Sequence, residues 1–87
     1  MGNTGSREEY DALVEQNQRQ IRETIAKQFV KYRKSKRMTQ QTVADLAGIK
    51  RPNISRFESG DYNPTVDMMV KIATCVGLEL DIRLKEH

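Results

Sequence analysis

Apolar positions recur along this chain with two different periods, and the change of period divides it. From Tyr10 to Tyr32 the spacing is helical. Tyr10, Leu13 and Val14 open a short stripe, and Ile21, Ile25, Phe29 and Tyr32 resume it, with Ala26 and Val30 alongside. Ser6-Arg7-Glu8-Glu9 heads this stretch as a capping box, a Ser N-cap with Glu three residues later. The polar run Asn17-Gln18-Arg19-Gln20 interrupts the apolarity. The pattern therefore predicts one long helix, or two, over about residues 7–36. Unbroken, such a helix reaches roughly 45 Å at ~1.5 Å per residue. A compact domain of this size cannot cover that length, so residues 1–16 are expected to form an arm: a disordered start, then a short projecting helix.

Three short helices follow. Thr39 is a good N-cap for Gln40–Ala47, where Val43, Leu46 and Ala47 share a face. Gly48 stands where a helix ends with a left-handed residue. After a three-residue turn, Pro52 suits a helical first turn, Ile54 and Phe57 share a face, and Gly60 closes the helix. Asp61-Tyr62-Asn63-Pro64 is a loop. Thr65 caps another helix with Asp67 near its N-terminus, and Val66, Met69, Val70, Ile72, Ala73 and Val76 are its expected buried stripe.

Leu78-Glu79-Leu80-Asp81-Ile82-Arg83-Leu84 then alternates apolar and charged residues, which predicts a half-buried strand. No second strand is predicted, and a lone strand has unpaired backbone groups. Its expected partner is its own copy in a second subunit, with Leu78, Leu80, Ile82 and Leu84 as the dimerising residues. The expected division is thus an arm over 1–16, a helical body over 17–77, and a strand with its tail over 78–87.

Charge sharpens this picture. The net charge of +3 says little by itself. Residues 31–56, however, hold eight basic residues against Asp45 alone, a net of +7, while the rest holds seven basic and eleven acidic residues, a net of −4. A basic middle between acidic ends is a footprint for a polyanion, or else a solvated helix face. Lys31–Arg37 in particular lies just before the short helices, where it could meet phosphates.

Composition excludes several classes. Eighty-seven residues are too few for an α/β enzyme with a deep cleft. The only His is His87, the only Cys is Cys75, and there is no glycine-rich phosphate loop. An enzyme has no visible nucleophile, base or metal cluster, so no catalytic residue, metal or cofactor is expected. One Cys forbids an intrachain disulfide and fits a reducing, cytoplasmic compartment. No apolar run is long enough to cross a membrane. Met1–Ser6 fits the M-G-x-x-x-[ST] myristoylation pattern, but nothing else points to a membrane.

Two short helices joined by Gly48-Ile49-Lys50 form a helix-turn-helix pattern. Val43, Ala44, Ile49, Ile54 and Phe57 can fix the angle between them, and Ala44 lets them approach closely. Arg51, Pro52, Ser55 and also Asn53 and Ser59 are then left free to enter a DNA major groove. At these residues the chain resembles the XRE family of lambda-repressor and Cro-like regulators. The resemblance runs through Thr39-Gln40-Gln41-Thr42-Val43-Ala44-Asp45-Leu46-Ala47-Gly48-Ile49, then Ile54-Ser55-Arg56-Phe57-Glu58-Ser59-Gly60 and Asn63-Pro64-Thr65, and covers about residues 20–77. It implies an all-α domain of five helices, with the arm before it and the strand after it. It also implies sequence-specific binding to double-stranded DNA, usually as a homodimer on a near-palindromic operator.

The expected DNA-binding set is Thr39, Gln40, Gln41, Lys50, Arg51, Pro52, Asn53, Ser55, Arg56 and Asn63, of which the resemblance gives roles to five. Gln40 looks like the family glutamine that contacts phosphate and braces the recognition helix. Arg51, Pro52 and Ser55 fall where the family touches base edges, and Arg56 where it meets phosphate or bases. Glu58 is read as structural, paired with a basic residue such as Arg33. Lys50 replaces the usual Ser or Thr cap, which removes a side-chain cap but offers a cation to a phosphate. Glu9-Tyr10-Asp11-Ala12-Leu13 and Gly77-Leu78-Glu79-Leu80-Asp81-Ile82 narrow the likeness to HigA-type antitoxins, which pair with HigB/RelE-like ribonuclease toxins and repress their own operon. Tyr10, Leu13 and Val14 would then be partner-binding residues on an acidic arm, facing a basic toxin. The alternatives are a phage or general XRE repressor without a toxin, and a protein-interaction module that does not bind DNA.

Overall fold

The structure, a computed structural model, describes residues 6–86. The myristoylation pattern lies largely outside the described residues, as does His87. Four helices follow one another: α1 (Arg7–Ser35), α2 (Gln40–Ala47), α3 (Arg51–Ser59) and α4 (Val66–Cys75).

α1 is one unbroken helix. Its capping box forms as the spacing predicts: the Glu9 amide donates to Ser6 Oγ at 3.2 Å and the Ser6 amide to Glu9 Oε1 at 2.9 Å. The run Asn17–Gln20 does not break it, because Gln and Arg are good helix formers whether or not they are buried. Residues 6–20 are exposed apart from Val14, so the first half of α1 stands away from the body and sets the 48 Å long axis of a molecule otherwise 24 × 20 Å.

α1 stops in a Schellman arrangement. The Met38 amide donates to Arg33 O at 3.1 Å and the Arg37 amide to Lys34 O at 2.9 Å. Arg37 holds the left-handed position at φ 58°, where glycine is usual.

The core lies where the second half of α1 meets α2, α3 and α4. Phe29, Val43, Ala44, Ile54, Phe57, Ile72 and Val76 form it. Phe29 and Phe57 meet edge to face, with centroids 5.5 Å apart and planes at 70°, a geometry that adds about 0.5–1.5 kcal/mol to area burial. Thr39 and Thr65 cap α2 and α4, each accepting an amide hydrogen bond at 3.0 Å. Cys75 packs against this core, and burial pushes its thiol pKa up, which keeps it a poor nucleophile near neutrality.

Three expectations are corrected. The domain has four helices among the described residues, not five. Residues 78–84 form no β-strand, and none is present among the described residues. Period-two alternation can mark a strand only where another strand supplies the ladder, and the described residues hold none. The segment instead turns at Gly77, φ 78°, and runs on without regular structure. Leu78 packs on the core, while Leu84 is fully exposed. Finally, Val66 and Val70 are exposed rather than part of the buried stripe of α4, and Leu46, on the same face as Val43, is exposed too. Helices of eight and ten residues bury only a narrow side here, and Val43, Ala44, Ile72 and Val76 occupy it.

Candidate nucleic-acid interface

The joint between α2 and α3 is built from its glycine outward. Gly48 takes φ 69°, which lets the chain reverse while the Ile49 amide donates to Ala44 O at 3.0 Å. Val43 and Ala44 on α2 and Ile54 and Phe57 on α3 are buried, so the small apolar contact read from the sequence does set the joint. With that side of α3 inward, Arg51, Pro52, Ser55, Arg56 and Ser59 lie on its opposite, exposed face at one-, three- and four-residue steps. Asn53 is half-buried at the edge. Lys50 is exposed and makes no side-chain cap, as expected of lysine in that position.

A polar clamp fixes how α3 sits. Arg33 is buried, and its guanidinium forks onto the Glu58 carboxylate, with Nη2 to Oε1 at 3.0 Å and Nε to Oε2 beside it. Arg33 Nη1 also donates to the Met38 carbonyl at 2.7 Å, and Gln40 Nε2 donates to Glu58 Oε1 at 3.0 Å. One carboxylate on α3 therefore ties α1 and the start of α2 to the C-terminal half of α3. Such bidentate charge-assisted bonds fix geometry more tightly than neutral ones.

The remaining DNA-binding candidates divide. Thr39 caps α2, with Oγ1 also 2.9 Å from Thr42 Oγ1. Gln41 donates to Asp45 Oδ1 at 2.8 Å. Asn63 is drawn toward α1 instead: its Oδ1 accepts from Arg22 Nη1 at 3.0 Å, while Arg22 Nε donates to Gly60 O at 3.3 Å.

Arg22 escaped the sequence reading, whereas Arg33 figures there both in the basic stretch and as a partner of Glu58, the pairing observed. A signal existed: Arg22, Phe29 and Arg33 lie seven and four residues apart, on one helical face. With Arg33 neutralised by Glu58, the exposed cations of the basic stretch are Lys31, Lys34, Lys36, Arg37, Lys50, Arg51 and Arg56.

This arrangement has counterparts among known proteins. A helix-turn-helix family model matches residues 30–82, more than half of the chain. The chain belongs to the helix-turn-helix family. Its relatives in that family include the uncharacterised HTH-type transcriptional regulator YqaE of Bacillus subtilis, 38% identical over 55 residues, which are 63% of this chain and 47% of that protein. An uncharacterised HTH-type transcriptional regulator of Haemophilus influenzae is 30% identical over 71 residues, covering 76% of this chain and 72% of the relative. Repressor protein C of Escherichia phage P2 is 39% identical over 49 residues, 56% of this chain and 50% of the repressor. The chain thus spans about half the length of two of these relatives.

Among solved structures, a toxin–antitoxin module from Streptococcus pneumoniae superposes with a TM-score of 0.65 at 25% identity, over 98% of this chain and 87% of that one. The likeness therefore extends beyond the helix-turn-helix segment to the arm.

Proposed function

We propose that this helix-turn-helix protein is a sequence-specific DNA-binding transcriptional regulator acting as a repressor. The observation that carries the reading is the exposed face of α3, where Arg51, Pro52, Ser55 and Arg56 stand together on a helix locked by Arg33, Gln40 and Glu58. The relatives are consistent with it, since two are HTH-type regulators and one is a repressor.

In this reading α3 enters the major groove. Arg51 forks onto guanine O6 and N7, Pro52 meets a thymine methyl, and Ser55 reaches a neighbouring base edge. Thr39, Gln40, Gln41, Lys50, Asn53 and Arg56 flank the groove and hold phosphates, joined by the basic end of α1. Asn63 contributes through its amide nitrogen, because its oxygen is occupied by Arg22. Phosphate contacts set register and base contacts set sequence.

The protein acts as a homodimer on a near-palindromic operator, with recognition helices about 34 Å apart, one turn of DNA. Leu78 and Leu80 are already half-buried in their own chain, so the exposed Ile82 and Leu84 are the better contacts for a second copy.

A finer reading is an autoregulating antitoxin. Its support is the Streptococcus pneumoniae toxin–antitoxin module, whose fold follows nearly this whole chain.

The test is selection of bound duplexes from a random library, followed by titration of the winner from low to moderate salt. A preferred two-fold-related sequence and a steep fall of affinity with salt are expected. Absence of duplex binding at low salt would leave the protein-interaction alternative.

A further inference from the structure

α1 carries a second surface that the DNA reading does not use. At about 100° per residue, Tyr10, Val14, Ile21 and Ile25 form one stripe along the helix, with Leu13 at its edge. Tyr10 and Leu13 are each 60% exposed and Ile21 is 59% exposed. The stripe runs into a groove of about 230 Å³, where Ile21 and Ile25 face Phe57, Tyr62, Pro64 and Met69. Apolar side chains lie uncovered on this side of α1 both before and after the polar turn Asn17–Gln20, in two patches of one stripe, which marks a contact site rather than scattered exposure.

The border of this surface is acidic. Asp11 and Glu15, with Glu8 further round the helix, run along one side of the stripe on the overhanging arm, and Asp61 stands below them, where Glu15, Gln18, Tyr62 and Asn63 line the corner between arm and body. Asp11 pairs with Arg7 at 3.2 Å in an exposed bridge. Arg22, the cation in the corner, is held by Gly60 O and Asn63. Glu8, Glu15 and Asp61 have no ion-pair partner among the described residues. Phosphates would be repelled here, and none of the α3 face residues lines the corner or the groove apart from the inward Phe57.

We propose that this acid-bordered groove, from Tyr10 to Met69, docks a basic amphipathic helix of a second protein. Apolar side chains of the partner helix would lie along Tyr10, Leu13, Val14 and Ile21, ending in the groove, while its lysines and arginines meet Glu8, Glu15 and Asp61. The surface is separate from the α3 face, so the partner and DNA can be held together. The inference stands apart from the DNA reading, and it supplies the partner's chemistry for the antitoxin reading: a basic protein face, such as one that binds RNA.

The test uses the full chain without DNA, so its failure leaves the DNA reading untouched. The probe is a labelled helical Leu/Lys peptide with leucines on one face, compared by fluorescence anisotropy with Leu/Glu and Ser/Lys versions. The Leu/Lys peptide is expected to bind about tenfold tighter than either control. Its amide shifts should map to residues 8–25 and 61–69. A Glu8→Lys, Glu15→Lys, Asp61→Lys variant, and separately Ile21→Ser, should each lose most of the binding. All four positions are exposed, and circular dichroism checks that the fold is kept. Equal binding of the Ser/Lys peptide, shifts centred on residues 51–56, or unchanged affinity in both variants would overturn the proposal.

Discussion

Arg33 on α1 and Glu58 on α3 form a two-pronged ion pair that is almost fully shielded from water, and Gln40 shares the same carboxylate. The exposed face of α3 is therefore oriented from behind, by an Arg33–Glu58 pair that need not touch a ligand. Glu58→Ala would leave the Arg33 charge buried without its partner. Loss of one member of a buried pair costs about 3–5 kcal/mol, a large share of the stability of a small domain. Urea unfolding should show that drop, and a change under about 1 kcal/mol would mean the pair is not holding the fold.

Lys50 occupies the N-cap of α3 without capping it. A threonine there can accept the amide hydrogen bond that lysine cannot and removes a cation from the positive end of the helix dipole. Lys50→Thr should stabilise the protein by about 0.5–2 kcal/mol in the same unfolding experiment. It should also weaken duplex binding and reduce the salt slope by about one, if Lys50 meets a phosphate.

Arg37 sits at φ 58° in the α1 cap. Left-handed backbone costs a residue with Cβ about 1–2 kcal/mol, and glycine's greater freedom when unfolded returns part of that. Arg37→Gly is expected to raise stability by about 0.5–1 kcal/mol while lowering affinity for every duplex alike. A gain in stability with affinity unchanged would remove Arg37 from the phosphate surface.

Much of this was legible in the chain because local rules sufficed. Ser6, Thr39 and Thr65 announce helix starts, Gly48 and Gly60 announce ends, and the apolar steps from Val43 to Phe57 describe the joint of α2 and α3. The family resemblance offers the Arg33–Glu58 pair as one example. What was not legible depends on other parts of the molecule. The alternation over 78–84 reads as a strand only if a ladder partner exists, and Val66 and Val70 read as buried only if another element covers them. The tie between Arg22, Gly60 and Asn63 spans about forty residues of sequence and leaves no local pattern.

The central claim is that the exposed face of α3 reads DNA sequence, while Gln40 braces that helix from the clamp and meets phosphate without reading bases. The most direct measurement compares Arg51→Ala with Gln40→Ala against the selected duplex and its single-base variants at one salt concentration. Arg51→Ala should cost about 1–3 kcal/mol and erase preference at one base pair per half-site. Gln40→Ala should weaken all duplexes about equally and leave the preference standing. Unchanged affinity and base preference in Arg51→Ala would contradict the placement of α3 in the major groove.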